Sequence, residues 1–427
     1  MTYTAIMVLI FIVGYTAITL EHPIKINKTA SALLTGVLCW TIYIIFSTDI
    51  KHVEESLSHH LGSVSEILFF LLGAMTIVEL VDAHEGFRIV TDRITTRNSR
   101  VLLWIICWVS FFLSSVLDNL TTSIVMVSLL RKLIDNADMR KYYAGLVIIA
   151  ANAGGAWTPI GDVTTTMLWI GGQVTTANIM TSLFIPSVIC LLIPLLFVTF
   201  RLKGDIQNDK VQVLEPMENP TNSKIMLAFG VGSLVFVPIF KTVTHLPPYM
   251  GILFGLGVLW VISEILNSNK DEEERHQYSA SYALSRIDAS SILFFLGILI
   301  AIGSLEATGT LIALAQWMDA NIGNQDVIVM AIGLASAVID NVPLVAASMG
   351  MYPLSQFPTD SKIWEFMAYC AGTGGSILII GSAAGVAVMG MEKIDFFWYV
   401  KKISLPALIG YFAGAFTYIG IYMLLHG

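Results

Sequence analysis

Apolar stretches close to the length of a bilayer span recur from one end of the chain to the other, and nothing constrains the fold more. "YTAIMVLIFIVGYTAITL" (3–20), "SALLTGVLCWTIYIIF" (31–46), "IMTSLFIPSVICLLIPLLFVTF" (179–200) and "LPALIGYFAGAFTYIGIYMLL" (405–425) are examples. As helices such runs cross a hydrocarbon core of about 30 Å. A soluble chain of 427 residues with 56% hydrophobic and 13% charged residues would lack the polar surface to cover itself. The chain therefore reads as an all-α polytopic membrane protein. Cys39, Cys107, Cys190 and Cys370 each lie in an apolar run without a metal-ligand spacing, and read as small buried side chains. The first run lacks a basic leader and a cleavage-like sequence, and reads as a retained helix rather than a signal peptide.

The chain is written twice. "ALLTGVLCW" (32–40) pairs with "ILFGLGVLW" (252–260), and "SEILFFLLGAMTIVELVDA" (65–83) with "SSILFFLGILIAIGSLEA" (290–307). "SSVLDN" (114–119) pairs with "SAVIDN" (336–341), and "AANAGGAWTPIGDV" (150–163) with "CAGTGGSILIIGSA" (370–383). Four matches in one order, spaced by about 220 residues, mark a duplication. The repeats run over 1–202 and 224–427, and the polar stretch 203–223 joins them as a cytoplasmic linker.

Each repeat begins with three apolar helices, over 4–20, 30–48 and 64–81 in the first copy. A segment centred on Asp-Asn follows, then a helix interrupted by glycines, then a last span. The first Asp-Asn segment offers about 17 apolar residues before Asp118 and under about ten after Thr122, too few for two spans. Asp-Asn-Leu-Thr-Thr is turn and cap chemistry. A re-entrant hairpin fits, with two short helices meeting at Asp118 and Asn119 inside the membrane. Both its flanks, "GFRIVTDRITTRNSR" and "RKLIDNADMRKYY", are basic and read as cytoplasmic. Each repeat then has five transmembrane helices, one of them broken, plus a hairpin. An odd number of crossings inverts the second copy. With both termini outside, all of the 23 Lys and Arg except Lys51, Lys241 and Lys362 fall on the cytoplasmic side.

Inverted repeats with broken helices meeting at the midplane describe a secondary transporter. Irregular backbone at that depth is tolerated only where protein buries it or it lines a cavity. The hairpin tips offer Ser114, Ser115, Asp118, Asn119, Thr121 and Thr122, then Ser336, Asp340 and Asn341. The interrupted helices offer "NAGGAWTPIGDVTTT" (152–166) and "GTGGSILIIGSAAG" (372–385). All the ligands are oxygens, which suit a hard cation such as Na+ or Li+. Asp118, Asp162 and Asp340 could hold a proton or Na+, and competition between the two at a carboxylate is antiport chemistry. No Arg or Lys is expected in this core. Glu79, Asp82, Glu85 and Glu306 read as boundary acids or as a gate or proton path, and His84 as a candidate cytoplasmic pH sensor. His52, His59 and His60 are expected in an external loop with Glu54 and Glu55. Glu66 reads as interfacial.

"LDNLTTS" (117–123), "AANAGGAWTPIGDVTTTMLWIGG" (150–172) and "VIDNVPLVAA" (338–347) resemble the NhaD-type Na+/H+ antiporters. These stand within the ion transporter superfamily that also holds dicarboxylate and citrate transporters. The resemblance covers nearly the whole chain. It implies a homodimer in the cell inner (cytoplasmic) membrane. Each subunit would have a scaffold and an elevator-type transport domain, and would export Na+ or Li+ in exchange for H+, with no other cofactor. Carried over position by position, the ion-site residues are Asp118 and Asn119 at the first tip. Asn152, Asp162, Thr164 and Thr165 stand at the first break. Ser336, Asp340 and Asn341 stand at the second tip, and Thr373, Ser376 and Ser382 at the second break. Na+ would sit among Asp118, Asn119, Asp162, Asp340 and Asn341. The copies differ: Ser382 replaces Asp162, and Pro343 replaces Thr121.

The nearest rival is a Na+-coupled symporter of dicarboxylate or another anion on the same fold. Such relatives typically carry neutral Ser-Asn-Thr tips, whereas Asp118, Asp162 and Asp340 would repel an anion. An intramembrane aspartyl protease also needs two facing aspartates, and "IGDV" (160–163) resembles part of its GxGD motif. Pro159 stands where that motif's first glycine belongs, and the duplicated hairpins have no role in such a protease. No enzymatic activity and no nucleic-acid partner are expected.

Overall fold

The computed structural model describes residues 3–94, 96, 98–201, 217 and 219–426. Most of the expected linker, 202–216 and 218, lies outside the described residues. The helix that follows begins at Pro220, with proline in the first turn where no backbone donor is needed.

The described residues fold as helices, seven of them long and apolar enough to cross a membrane. In the first half, Tyr3–Thr19, Lys28–Phe46 and Ile50–Ala83 precede a helical hairpin, Ser99–Ser114 and Asn119–Leu133. An interrupted helix, Ala137–Ala156 and Val163–Ile170, and then Thr176–Arg201 complete it. The second half follows the same order: Pro220–Thr244, Pro248–Leu266, Ala289–Ala307, the hairpin Gln325–Ala335 and Asn341–Met351, the interrupted helix Lys362–Gly374 and Ala383–Glu392, and Leu405–His426. An extra helix, Thr310–Asn321, precedes the second hairpin.

Two sets of helices, called bodies below, can be told apart by their contacts, and they also pack on each other where Ala289–Ala307 meets Asn341–Met351. In one, Lys28–Phe46 lies along Ala289–Ala307, and Ile50–Ala83 packs on Pro248–Leu266. Small residues allow the close approach: a Cβ on Gly36 would stand 2.7 Å from the Gly297 carbonyl. Trp40 Nε1 donates to the Ile300 carbonyl at 2.8 Å. In the other, the hairpins wrap the interrupted helices. Ser99–Ser114 packs on Ala137–Ala156, and Gln325–Ala335 on Lys362–Gly374.

The same backbone contacts occur in both hairpins, at paired positions. Ser114 Oγ donates to the Ala151 carbonyl at 2.7 Å and Ser336 Oγ to the Ala371 carbonyl at 2.9 Å. Gly154 faces the Phe111 carbonyl and Gly374 the Gly333 carbonyl, each too near for any side chain. The four cysteines are free and buried, as expected.

One expectation is corrected. Residues 50–63 are not a loop: the helix Ile50–Ala83 starts fourteen residues before the expected 64, capped by Asp49, whose carboxylate accepts from the His52 N–H at 3.1 Å. His52, His59 and His60 therefore ride on a helix that runs about 20 Å further than a bilayer span requires. This extension carries only a thin apolar stripe, Ile50, Val53, Leu57 and Leu61, set among charged and histidine side chains.

The glycine contacts give a paired prediction. Gly374→Ala should destabilise the detergent-solubilised protein by about 1–3 kcal/mol, since the backbone carbonyl opposite has nowhere to go. A Cβ added at Gly62 would meet nothing within 4 Å. Gly62→Ala should raise the melting temperature, because alanine suits a helix interior by up to about 1 kcal/mol. Thermal unfolding of both variants against the parent checks the opposite signs.

Candidate functional site

Breaking a helix inside a bilayer exposes backbone N–H groups that no water can reach, so the new N-terminus needs a side-chain acceptor. The residues picked out from the sequence supply it. Asp118 caps Asn119–Leu133, accepting from the Thr121 N–H at 2.8 Å. Asp162 caps Val163–Ile170, accepting from the Thr164 N–H at 2.9 Å. Asp340 caps Asn341–Met351 through the Val342 N–H at 3.2 Å, and Ser382 caps Ala383–Glu392 through the Gly385 N–H at 3.2 Å. A carboxylate there also gains from the positive end of the helix dipole.

The core of the site is a buried network. Asn119 Nδ2 donates to Asp162 Oδ2 at 2.7 Å and to Asn152 Oδ1 at 3.0 Å. Asn152 Nδ2 donates to Ser382 Oγ at 3.2 Å, which links the first hairpin tip to both breaks. Thr164 Oγ1 donates to Asp162 Oδ1 at 2.8 Å. Asp162 is 1% exposed and Asn152 fully buried, so the network stands apart from bulk water. The two breaks interlock: a Cβ on Gly372 would lie 3.9 Å from Asp162 Oδ2.

Asp118 and Asp340 stand at the edge of this network. Thr121 Oγ1 donates to Asp118 Oδ2 at 2.6 Å. A cavity of about 70 Å3 reaches Asp118 and Asn119, walled by Phe70 and Met75 of Ile50–Ala83 and by Phe295. That is room for a few water-sized groups between the two bodies. Asp340 faces Lys28, whose Nζ lies 3.3 Å from Asp340 Oδ2. The expectation that no Arg or Lys enters this core is corrected by that contact.

Other candidate residues have their hydrogen bonds elsewhere. Ser114 and Ser336 hold carbonyls of the interrupted helices, and Ser115 Oγ donates to the Phe112 carbonyl at 2.7 Å. Thr165 Oγ1 donates to the Asp162 carbonyl, Thr373 Oγ1 to the Tyr369 carbonyl and Ser376 Oγ to the Thr373 carbonyl. Thr122 Oγ1 is buried with no hydrogen-bond partner, a hydroxyl left open beside the tip. Asn341 is 5% exposed. No three His, Cys, Asp or Glu side chains gather as a metal cluster among the described residues.

The gate and sensor candidates find partners away from this network. Glu79 pairs with Arg286 at 3.3 Å, and Asp82 lies within reach of the same charge. Glu306 lies 4.0 Å from His60 Nδ1. His84 donates from Nδ1 to the Leu80 carbonyl (2.8 Å), accepts at Nε2 from Asn267 Nδ2 (3.0 Å) with Ser263 Oγ at 3.3 Å, and its ring lies tilted against Tyr278. Burial holds its imidazole below the ordinary value, so it ties the end of Ile50–Ala83 to Pro248–Leu266 as a neutral ring.

Two residues of the neighbourhood escaped the sequence. Lys28 lies 312 positions from its partner and reads, from sequence, as an ordinary basic residue at a cytoplasmic helix end. Glu365 is buried with Tyr418 Oη at 2.8 Å and Asn178 Nδ2 as donors, and its place as a lone carboxylate in the apolar run "KIWEFMAYC" is the signal that could have found it.

Residues 6–372 match the family described as Citrate transporter. "Sodium/proton antiporter 1" of Arabidopsis thaliana is 54% identical over 98% of this chain and 72% of its own length. "Sodium/proton antiporter 2" of the same plant is 50% identical over 97% of this chain and 99% of its own. A Vibrio cholerae protein named "Na(+)/H(+) antiporter NhaD" is 30% identical over 94% of this chain and 88% of its own.

The Asn119–Asp162 bond should be measurable as a coupling. In a double-mutant cycle with Asn119→Ala and Asp162→Asn, thermal unfolding should give an interaction energy of about 1–3 kcal/mol. Additive effects would mean that the two side chains do not share a hydrogen bond in the protein.

Proposed function

The chain belongs to the NhaD-type sodium/proton antiporters of the citrate transporter family, and we propose that it exports Na+ and Li+ in exchange for H+. The observation that carries this reading is the buried network joining Asn119, Asp162, Asn152 and Ser382 across one hairpin tip and both breaks. It offers oxygen acceptors where several helix ends meet, and the capping carboxylates offset the positive dipoles of those ends. A desolvated Na+ finds carboxylate, amide and hydroxyl oxygens there, and Thr122 adds a hydroxyl with no other partner.

In this reading Asp118, Asp162 and Asp340 each exchange a proton for a share in Na+. Two loads that neutralise the same carboxylates compete, and that competition couples the fluxes without a separate counting device. The two halves are inverted repeats, 1–202 and 224–427, with a cytoplasmic linker between them. The hairpins and interrupted helices form the moving transport domain, and the paired helices Lys28–Phe46 and Ala289–Ala307 belong to the scaffold of an elevator. The protein works as a homodimer in the inner (cytoplasmic) membrane with both termini outside. On that topology the second tip, beside Lys28, stands toward the cytoplasmic ends of the scaffold helices, which suits a carrier whose site faces inward.

Na+-coupled uptake of a dicarboxylate or other anion is the second reading. The description of the matched family and the approach of Lys28 to the core favour it. Against it, the Lys28 ammonium is already matched by Asp340, and Asp118 and Asp162 remain to repel an anion.

Purified protein in liposomes, with an internal pH dye and an imposed pH gradient, separates the readings. Na+ or Li+ alone should move protons; Na+-dependent succinate uptake with silence to the cations would establish the symporter instead. Asp118→Asn and Asp340→Asn should each lower exchange by roughly 10–100-fold while the protein still inserts, the cost of losing a charged ligand of about 1.5–3 kcal/mol. Asp162→Asn should raise the apparent KM for Na+ by roughly tenfold, and an unchanged KM would leave it only its capping role. Exchange should climb with pH until the carboxylates are mostly deprotonated, since a proton bound is a Na+ excluded. A rate indifferent to pH on both sides would contradict the competition.

A further inference from the structure

The ion pair between Lys28 and Asp340 crosses from one body to the other. Lys28 is the first residue of the helix Lys28–Phe46, and that end is fastened down. Its backbone N–H donates to Glu21 Oε1 at 3.1 Å, and Thr29 Oγ1 bonds Ser290 on the neighbouring helix. The ammonium also lies 4.4 Å from the centre of the Phe294 ring. Asp340 belongs to the other body, at the tip of the second hairpin. Among the described residues several other ion pairs stay within a body. Glu392 holds Arg131 and Arg140 among the hairpins and interrupted helices, as Asp326 holds Lys362, while Glu79 and Arg286 pair on the other side.

Local rules argue against this lysine unless the contact has a use. A cation in the first turn of a helix opposes the dipole, and half-shielded as Lys28 is, with 26% of its side chain exposed, water compensates it poorly. The first half shows no such arrangement. There Thr121 gives Asp118 both an N–H and a hydroxyl. At the second tip the paired position is Pro343, which has neither, and Asp340 keeps one free oxygen, turned to Lys28. The position paired with Lys28 is itself a proline, Pro248. The two changes belong together: the local donor is removed from one carboxylate only, and a cation on the opposite body takes its place.

We propose that Lys28 is a tethered competitor for Asp340, pairing with the carboxylate when the site is empty and releasing it when Na+ or a proton neutralises it. The pair then ties the unloaded transport domain to the scaffold. A loaded domain has no charge left for Lys28 to hold, and moves. This prevents the return of an empty carrier, the step that would let Na+ run down its gradient without counter-moving protons. The inference rests on the exchange reading above and names the residue that makes exchange obligatory.

The experiment follows 22Na+ and protons together in proteoliposomes. The parent protein should move both in a fixed ratio. Lys28→Met should lower the protons moved per Na+ by threefold or more, with a lower apparent KM for Na+, and Lys28→Arg should restore the ratio. 22Na+/Na+ counterflow reports whether the Asp340 site is intact in each variant. A Lys28→Met protein that keeps the parental ratio and KM overturns the proposal. A parent that moves no protons on Na+ overturns the exchange reading instead. Labelling of Lys28 by a membrane-permeant amine reagent, read by mass spectrometry on the unmodified sequence, tests the same contact without a variant. Na+ should raise the labelling severalfold over choline, and equal labelling in both would also overturn the proposal.

Discussion

The structure depends on the cost of leaving backbone polar groups unpaired in hydrocarbon. An uninterrupted helix meets that cost by itself, but this chain interrupts helices four times at depth, twice in hairpins and twice within a span. Each interruption leaves donors at a new N-terminus and acceptors at an old C-terminus, worth several kcal/mol apiece if unmet. The donors are met by Asp118, Asp162, Asp340 and Ser382. The acceptors are met from neighbouring elements. Thr158 Oγ1 reaches the Ser115 carbonyl, Thr166 Oγ1 the Pro159 carbonyl and Tyr399 Oη the Ser376 carbonyl. The hairpins and breaks therefore form one interlocked unit, because each supplies groups the other lacks.

This explains why so much of the site could be read from sequence. A carboxylate or hydroxyl in an apolar run must do something with the backbone nearby, and the residues that cap a broken helix are the ones that stand out against leucines. Asp118, Asn119, Asp162 and Asp340 announce themselves by contrast with their surroundings, and the Gly-rich breaks by the close carbonyl contacts they require. The duplication helped, since a polar pair that recurs in order with glycines is hard to assign to chance. What stayed hidden lacked contrast. Lys28 stands where basic residues are expected at a helix end, and its meaning depends on a partner on a different hairpin. The helix over 50–63 carries only a thin apolar stripe, Ile50, Val53, Leu57 and Leu61, and the charges and histidines around it make the segment look like a loop. Serines such as Ser114 and Ser336 carried the right chemistry for a ligand, yet their hydroxyls close backbone gaps.

A cap and an ion ligand make compatible demands on one side chain. Capping engages one carboxylate oxygen with an N–H and leaves the other free, as Asp162 shows with Thr164 on Oδ1 and Asn119 on Oδ2. The bond from Asn119 is of the kind a cation could replace, because the amide can rotate its oxygen toward a positive charge while its nitrogen turns to another acceptor. Neutral Ser382 performs the same cap in the second break with no charge at all. The halves thus keep the same architecture while differing in charge, and the architecture needs the cap whereas only the chemistry needs the carboxylate.

That distinction bears on how a duplicated carrier can treat its two ends differently. If both tips held their aspartates by local donors, both carboxylates would be equally engaged and neither would need a cation from Lys28–Phe46. Replacing Thr121 by Pro343 at the paired position removes two donors and stiffens the turn, since proline has no N–H and a fixed φ. The freed carboxylate must then find a cation, and the nearest one is fastened to the opposite body. A single difference inside one hairpin thus leaves Asp340 its cap through the Val342 N–H and turns its other oxygen to Lys28 on the opposite body.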